Sequence, residues 1–203
     1  VGSGRMATNL TSDLAVALLM NAAATVSALG LLIWVLAPVS GAHFNPAVTV
    51  IMKARGELSV GRASAYVVSQ VAGAVAGSIL ANVLYDQPAV SMSQTSRGGT
   101  GQLLAEVVAT AGLVAIICLA VDRTAAHRLP LLVPAWIASA YFFTSSTSFA
   151  NPAVTVGRMF SDSFAGIASA SVTPFVIAQV VGASLGWMVA RSISNSHKET
   201  ADV

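Results

Sequence analysis

Two identical hexapeptides, Asn-Pro-Ala-Val-Thr-Val, begin at Asn45 and at Asn151, 106 residues apart. Asn is a favoured helix N-cap, and Pro suits the first helical position because it has no N–H to leave unbonded. Each motif therefore predicts a helix start whose free N–H groups and Asn amide can donate hydrogen bonds. The candidate binding residues are Asn45, Pro46, Ala47, Asn151, Pro152 and Ala153.

The composition points to a membrane protein. Of 203 residues, 55% are hydrophobic and only 9% are charged, whereas a soluble domain carries about 25% charged residues. The net charge of +2 is too small to indicate a nucleic-acid partner. The single Cys118 excludes an internal disulfide framework. The chain has no recognisable Ser/His/Asp set, metal-ligand cluster or phosphate-binding loop, so we predict neither an enzyme nor a bound cofactor.

Five apolar stretches are long enough to cross a bilayer, since a spanning helix needs about 20 residues. They cover residues 14–38, 62–85, 102–121, 128–147 and 172–191. The two motifs open shorter apolar stretches, residues 45–53 and 151–160, which are too short to cross. We interpret these as re-entrant half-helices.

The order of span, half-helix and Gln-containing span occurs twice. Residues 69–77 and 178–186 repeat Gln and Gly at the same spacing, and we read the glycines as generic tight packing. The pattern predicts an all-α membrane protein with one domain over residues 1–203 and repeats at about 1–85 and 102–193. The first repeat lacks one span, so we expect six spans in the intact protein. Residues 1–8 would be the last turns of the missing span.

The basic residues favour one orientation. If the loop around Lys53 is cytoplasmic, seven of the ten Lys and Arg residues lie inside, as the positive-inside rule expects. These seven are Lys53, Arg55, Arg62, Arg123, Arg128, Arg191 and Lys198. Arg5, Arg97 and Arg158 then lie on or near the outer side of the membrane. The two halves have opposite orientations, and their half-helices meet near the midplane. Two positive helix ends there would donate hydrogen bonds to a neutral solute and repel cations.

Residues 40–49 (SGAHFNPAVT) and 149–153 (FANPA) resemble the two signature motifs of the aquaporin and glycerol-facilitator family, the major intrinsic proteins. The resemblance covers nearly the whole chain. It implies the aquaporin-like fold and a passive channel for small neutral solutes, in a bacterial and atypical member of the family. It also implies a homotetramer with one pore per protomer, in the lipid bilayer of the inner (plasma) membrane.

Two further residues take their expected roles from this resemblance. Glu106 and Thr110 match the family's Glu-x-x-x-Thr, in which the buried carboxylate accepts hydrogen bonds from the re-entrant loop. The alternative role for Glu106 is a proton relay. His43 would line the cytoplasmic mouth and fix the loop, and its alternative role is a pH gate.

The sequence departs from the family at the selectivity filter. Family members carry Arg directly after the second Asn-Pro-Ala, and Val154 stands there instead. Arg158 lies one turn later, about 6 Å along the axis, so we expect it to point to the vestibule or a lipid head group rather than replace the missing Arg. Counting back from the motifs gives the other filter positions as Thr25, Ser139 and Ser148. Tyr141, Phe142 and Phe143 would intrude if this register slips.

These small residues predict a wide, uncharged filter. Such a filter would pass water, glycerol-like polyols, urea-sized solutes and neutral metalloid acids such as arsenous acid. The competing hypotheses are a water-selective channel, a secondary transporter and a purely structural role. A transporter normally needs ionisable coupling residues near the midplane, and Glu106 is the one candidate in the sequence.

Overall fold

The computed structural model describes the backbone of residues 1–201 and the side chains of residues 1–196. Asp202, Val203 and the side chain of Lys198 lie outside the described residues. The elements are α1 (Gly2–Leu10), α2 (Leu14–Ser40), α3 (Pro46–Ala54), α4 (Val60–Val83), α5 (Gly99–Asp122), α6 (Leu129–Phe143), α7 (Pro152–Arg158) and α8 (Ser169–Ala201). A 3-10 turn, Ala126–Arg128, precedes α6. No strand occurs within residues 1–201, and the all-α prediction is confirmed.

Four helices are long and apolar enough to cross a membrane: Leu14–Ser40, Val60–Val83, Gly99–Asp122 and Ser169–Ser196. The fifth predicted span is shorter than expected. Helix α6 has 15 residues and ends at Phe143, not at residue 147. The backbone is extended at Thr144 and left-handed at Thr147 and Ser148. Ser and Thr hydroxyls compete for backbone hydrogen bonds, which explains why the polar run after Phe143 leaves the helix.

The two halves of the chain pack in equivalent ways. The short helices α3 and α7 both contact α4 and α8, and they also contact each other. Helices α2 and α6 pack together, and α5 packs along α8. The α1 segment, predicted to be the last turns of a span, packs against α2 and α4. This is the arrangement expected of an inverted repeat around two half-helices.

Glycines allow the backbones of α5 and α8 to touch. A Cβ added at Gly186 would lie 2.1 Å from the carbonyl oxygen of Ala111, and one at Gly182 would lie 2.4 Å from that of Val107. The predicted tight packing is therefore confirmed for this copy of the Gly pattern. A Cβ added at the corresponding Gly77 of α4 meets nothing within 4 Å among the described residues.

Charged side chains tie the loops at the two ends of the bundle. Arg55, just after α3, forms ion pairs of 2.7 Å with Glu57 and with Asp122 at the end of α5. The loop after α7 is held by Arg5, which donates to the carbonyl of Asp162, and by Arg97, which donates to that of Gly166. Helices α3 and α7 begin opposite each other and run apart. The loops that follow them therefore lie at opposite ends of the helix bundle.

Candidate functional site

The two asparagines cap their own helices and bind the opposite loop. The side-chain oxygen of Asn45 accepts from the N–H of Ala47 at 2.9 Å, and that of Asn151 accepts from Ala153 at 2.9 Å. The Asn45 amide donates to the carbonyl of Ala150, and the Asn151 amide donates to the carbonyl of Phe44, both at 2.8 Å. An amide nitrogen carries two N–H groups, so one crosses to the partner loop and a second remains for the cavity.

The loops before the motifs share an unusual backbone. Phe44 and Ala150, directly before the asparagines, have φ of 48° and 47°. Ala42 and Ser148, again 106 residues apart, have φ of 47° and 52°. Non-glycine residues in this left-handed region cost about 1–3 kcal/mol each. The strain places the carbonyls of Phe44 and Ala150 where the opposite asparagine can reach them.

A Thr–Gln pair supports each half-helix. The Thr49 hydroxyl bonds the carbonyl of Asn45 at 3.1 Å and accepts from Gln70 at 3.0 Å. The counterpart Thr155 bonds the carbonyl of Asn151 at 2.9 Å and accepts from Gln179 at 2.8 Å. The sequence marked both glutamines as part of the repeat, but their role in anchoring the motifs was missed. The signal was their identical placement within the repeated spans.

The carboxylate of Glu106 is fully buried and anchors the second loop. It accepts from the backbone N–H of Phe149 and of Ala150, each at 2.9 Å, and from the side chain of Gln179 at 2.6 Å. These three bonds hold the loop before Asn151 and leave the carboxylate little freedom to carry protons. Thr110, the other member of the motif, is buried, and its hydroxyl has no hydrogen-bond partner among the described side chains.

A cavity of about 1030 Å³ runs past the starts of both half-helices. It follows α2 from Thr25 to Ser40, about 22 Å along the axis at 1.5 Å per residue. Both Asn45 and Asn151 line it, and its remaining wall is mostly aliphatic. An apolar passage with a few convergent hydrogen-bonding groups is the usual form of a small-molecule site.

Three of the four predicted filter residues line the cavity, and one does not. Thr25, Ser148 and Val154 line the cavity. Ser139 does not take the expected place: it is exposed, and its hydroxyl bonds the carbonyl of Ala135 in its own helix. Tyr141, only 2% exposed, lines the cavity instead. Leu129, Val133, Ile137 and Tyr141 follow the four-residue spacing of one helix face and all line the cavity, so this register could have been read from the sequence.

Arg158 requires a correction. A lipid head group was one of its two expected contacts, but the side chain is only 8% exposed and lines the cavity. Its guanidinium lies 4.2 Å from the centre of the Phe149 ring and donates to the Tyr141 hydroxyl at 3.2 Å. Arg97 approaches the same ring at 4.9 Å. The vestibule alternative fits this placement.

His43 lines the cavity beside the start of the first half-helix. Its Nδ1 is 3.1 Å from the hydroxyl of Thr49, and its ring meets the edge of Tyr66 at 5.6 Å. The Tyr66 hydroxyl in turn donates to the carbonyl of Ser40. These contacts fix the loop that leads into the first half-helix.

Two half-helices that begin opposite each other, with spanning helices around them and a cavity past their caps, define a multi-pass membrane channel. The family model described as Major intrinsic protein matches residues 1–150. Aquaglyceroporin AqpS from Rhizobium meliloti (strain 1021) is 49% identical over 183 residues, which are 90% of this chain and 78% of that protein.

More distant relatives match shorter segments. Aquaporin PIP1-6 from Zea mays is 40% identical over 123 residues, 55% of this chain and 40% of that protein. Aquaporin-5 from Sus scrofa is 47% identical over 58 residues, 29% of this chain and 21% of that protein. The chain belongs to the major intrinsic protein family, whose members are membrane channels for small neutral solutes.

Proposed function

We propose that this chain forms a passive channel for neutral solutes larger than water. The solutes are glycerol-like polyols, urea-sized molecules and neutral metalloid acids such as arsenous acid. The carrying observation is Val154, which lines the cavity directly after the second motif and brings no charge or hydrogen-bond donor. The small side chains of Thr25 and Ser148 share the wall, which leaves this part of the passage wide.

Several hydrogen-bonding groups would replace water around a polyol. Each asparagine has a second amide N–H, and the buried hydroxyl of Ser148 has no partner among the described side chains. A solute with several hydroxyls can bond to these groups in turn while its carbon atoms slide along the aliphatic wall. The positive ends of the two half-helices would repel a cation that has lost its hydration.

A water-selective channel is the second candidate. Tyr141 and Arg158, joined by a hydrogen bond of 3.2 Å, supply bulk and charge at one end of the cavity. If they narrow the passage to the width of a water molecule, larger solutes would be rejected despite Val154.

We also propose the wider context of the channel. It is a homotetramer in the inner membrane, with one pore-forming domain over residues 1–203 and repeats at about 1–85 and 102–193. Seven of the ten Lys and Arg residues fall on the Arg55 side by the sequence count, against Arg5, Arg97 and Arg158 on the other, which supports placing Arg55 in the cytoplasm. Net flux follows the solute gradient.

The decisive test is stopped-flow light scattering on proteoliposomes, comparing water-driven shrinkage with glycerol-driven swelling. We expect fast glycerol entry in the natural protein. Val154→Arg should reduce it about tenfold or more, because a long charged side chain fills the space that the solute needs. Water flow should fall much less. Arsenous acid and urea entry would then rank the proposed solutes.

Val154→Ala is the matched control, because it leaves the filter wide and uncharged and should keep glycerol entry. Water flow without glycerol entry would contradict the proposal in favour of a water-selective channel. Flux of neither water nor glycerol would indicate a gated pore or a structural role.

A further inference from the structure

Arg158 is a buried cation inside the proposed passage. The guanidinium has five N–H donors in a planar fork, and among residues 1–196 it donates one hydrogen bond, from Nη2 to the Tyr141 hydroxyl at 3.2 Å. The Phe149 ring lies 4.2 Å below it, which fixes the plane of the group by a cation–π contact. The side chain is therefore positioned with donors left for a molecule in the cavity.

The charge of Arg158 has no direct counterion. Within residues 1–196, both ion pairs involve Arg55, at the opposite end of the bundle. Glu106 supports the same loop, but its oxygens are occupied by the N–H groups of Phe149 and Ala150 and by Gln179. A charge that is buried without an ion pair acts strongly on ions that enter the same low-dielectric space.

We propose that Arg158 adds a second charge barrier to this channel, separate from the two half-helix ends. One helical turn beyond Val154, it repels cations and donates hydrogen bonds to the oxygen atoms of passing solutes. The filter is thereby divided: Val154 sets the width, and Arg158 sets the charge at a separate level. This inference rests on the proposed channel function and adds a residue that the sequence did not assign to the filter.

The test uses Arg158→Cys in proteoliposomes. Cys118 is the only natural cysteine and is fully buried, so thiol reagents would act on the introduced residue. The readouts are the decay of an imposed sodium gradient and glycerol entry, both from one preparation. We expect the natural protein to admit glycerol and hold sodium, and Arg158→Cys to leak sodium about tenfold faster or more, since removing 1.4 kcal/mol of barrier gives tenfold. Glycerol entry in the same variant measures whether the pore is folded and open.

A positive charge is then restored at position 158 by chemical labelling of the introduced cysteine. Labelling with a cationic trimethylammonium-ethyl methanethiosulfonate should restore the sodium barrier, and the neutral methyl reagent should not. Arg158→Lys should hold sodium like the natural protein. An Arg158→Cys channel that admits glycerol yet holds sodium would overturn the inference, as would equal rescue by the two reagents.

Failure of the inference is separable from failure of the proposed function. Natural protein that admits no glycerol overturns the function and the inference with it, whereas tight Arg158→Cys liposomes that admit glycerol overturn only the inference. If Arg158→Cys no longer admits glycerol, Arg158→Gln and Arg158→Lys replace it, because their longer side chains retain contact with Phe149. Equal sodium leakage in those two would overturn the inference.

Discussion

Glu106 illustrates how one carboxylate organises a half of the pore. It satisfies two backbone N–H groups of a strained loop and the amide of Gln179. Gln179 then bonds Thr155, whose hydroxyl holds the carbonyl of Asn151. The chain of bonds therefore runs from the middle of a span to the cap of the half-helix, and it needs an acceptor-only group at its start.

We expect Glu106→Gln to destabilise the protein by about 1–3 kcal/mol, because one carboxylate oxygen becomes a donor that faces another donor. Thermal unfolding in detergent, with glycerol entry as a second readout, checks this. Thr110→Val is the control in the same span: its hydroxyl has no partner among the described side chains, and its loss should be near neutral. A Glu106→Gln protein of natural stability that lost only proton-dependent uptake would favour the relay alternative.

The roles of some single residues could be predicted from the sequence, and those of others could not. The motifs themselves indicated the half-helices and their caps, whereas the support role of Glu106 was implied by the family resemblance. Counting from a motif cannot fix the register across a different helix, and Ser139 was assigned where Tyr141 lines the cavity. The i+4 spacing correctly placed Arg158 on the face of Val154. What could not be read was that Phe149 and Tyr141 would draw its long side chain inward.

At the scale of elements, glycine decides which helices touch. Gly186 brings the backbone of α8 onto α5, where any Cβ would meet the carbonyl of Ala111. Gly112 plays a similar part on α5, because a Cβ there would lie 1.9 Å from the Trp136 ring of α6. The indole N–H of Trp136 then reaches the carbonyl of Ala109 at 2.8 Å. These close approaches hold the second repeat together.

Gly186→Ala should destabilise the protein by about 1–3 kcal/mol, since the backbones must separate to admit the methyl group. Gly101→Ala, in the first turn of α5, should be neutral or stabilising by up to about 1 kcal/mol, because the nearest atom to an added Cβ is the Ser145 hydroxyl at 3.9 Å and Ala is the better helix former. Thermal unfolding of the two variants side by side measures the difference. Equal effects would contradict the close packing of α8 on α5 at Gly186.

The element boundaries were predicted unevenly. The four long spans and both half-helices were anticipated, since hydropathy and capping residues are local signals. The end of α6 was not, because Phe143 is followed by an apolar and hydroxyl-rich run that has no Gly or Pro stop before Pro152. Its hydroxyls and the left-handed loop before Asn151 override the helical pattern.

At the scale of the whole molecule, the two repeats are joined at the capping residues. Asn45 contacts the loop of the second repeat and Asn151 that of the first, at matching distances of 2.8 Å. The sequence predicted that the half-helices meet, but one chain segment alone does not reveal that each cap is completed by the other repeat. The reciprocal hydrogen bonds of Asn45 and Asn151 form only when the two repeats are folded together.

Asn45→Ala and Asn151→Ala should therefore be energetically coupled. Each loses its cap, about 1 kcal/mol, and each leaves a carbonyl of the other loop unbonded, so the double variant should deviate from additivity by about 0.5–3 kcal/mol. Unfolding temperature and sodium leakage are the measurements. Ser59→Ala removes a distant cap, that of α4, and should add simply to Asn151→Ala. Additivity in both pairs would contradict the coupling.

The crossed asparagine bonds also bear on how such a pore can be opened and closed. Two carbonyls and two amides make a closed mechanical link between the halves, so neither half-helix can withdraw without breaking both bonds and relaxing two strained loops. The passage at the midplane should therefore be rigid and keep a constant width. Any regulation would then act at the ends, where His43 with Tyr66 at one end and Arg158 with Tyr141 at the other depend on side-chain contacts that a rotamer change can release.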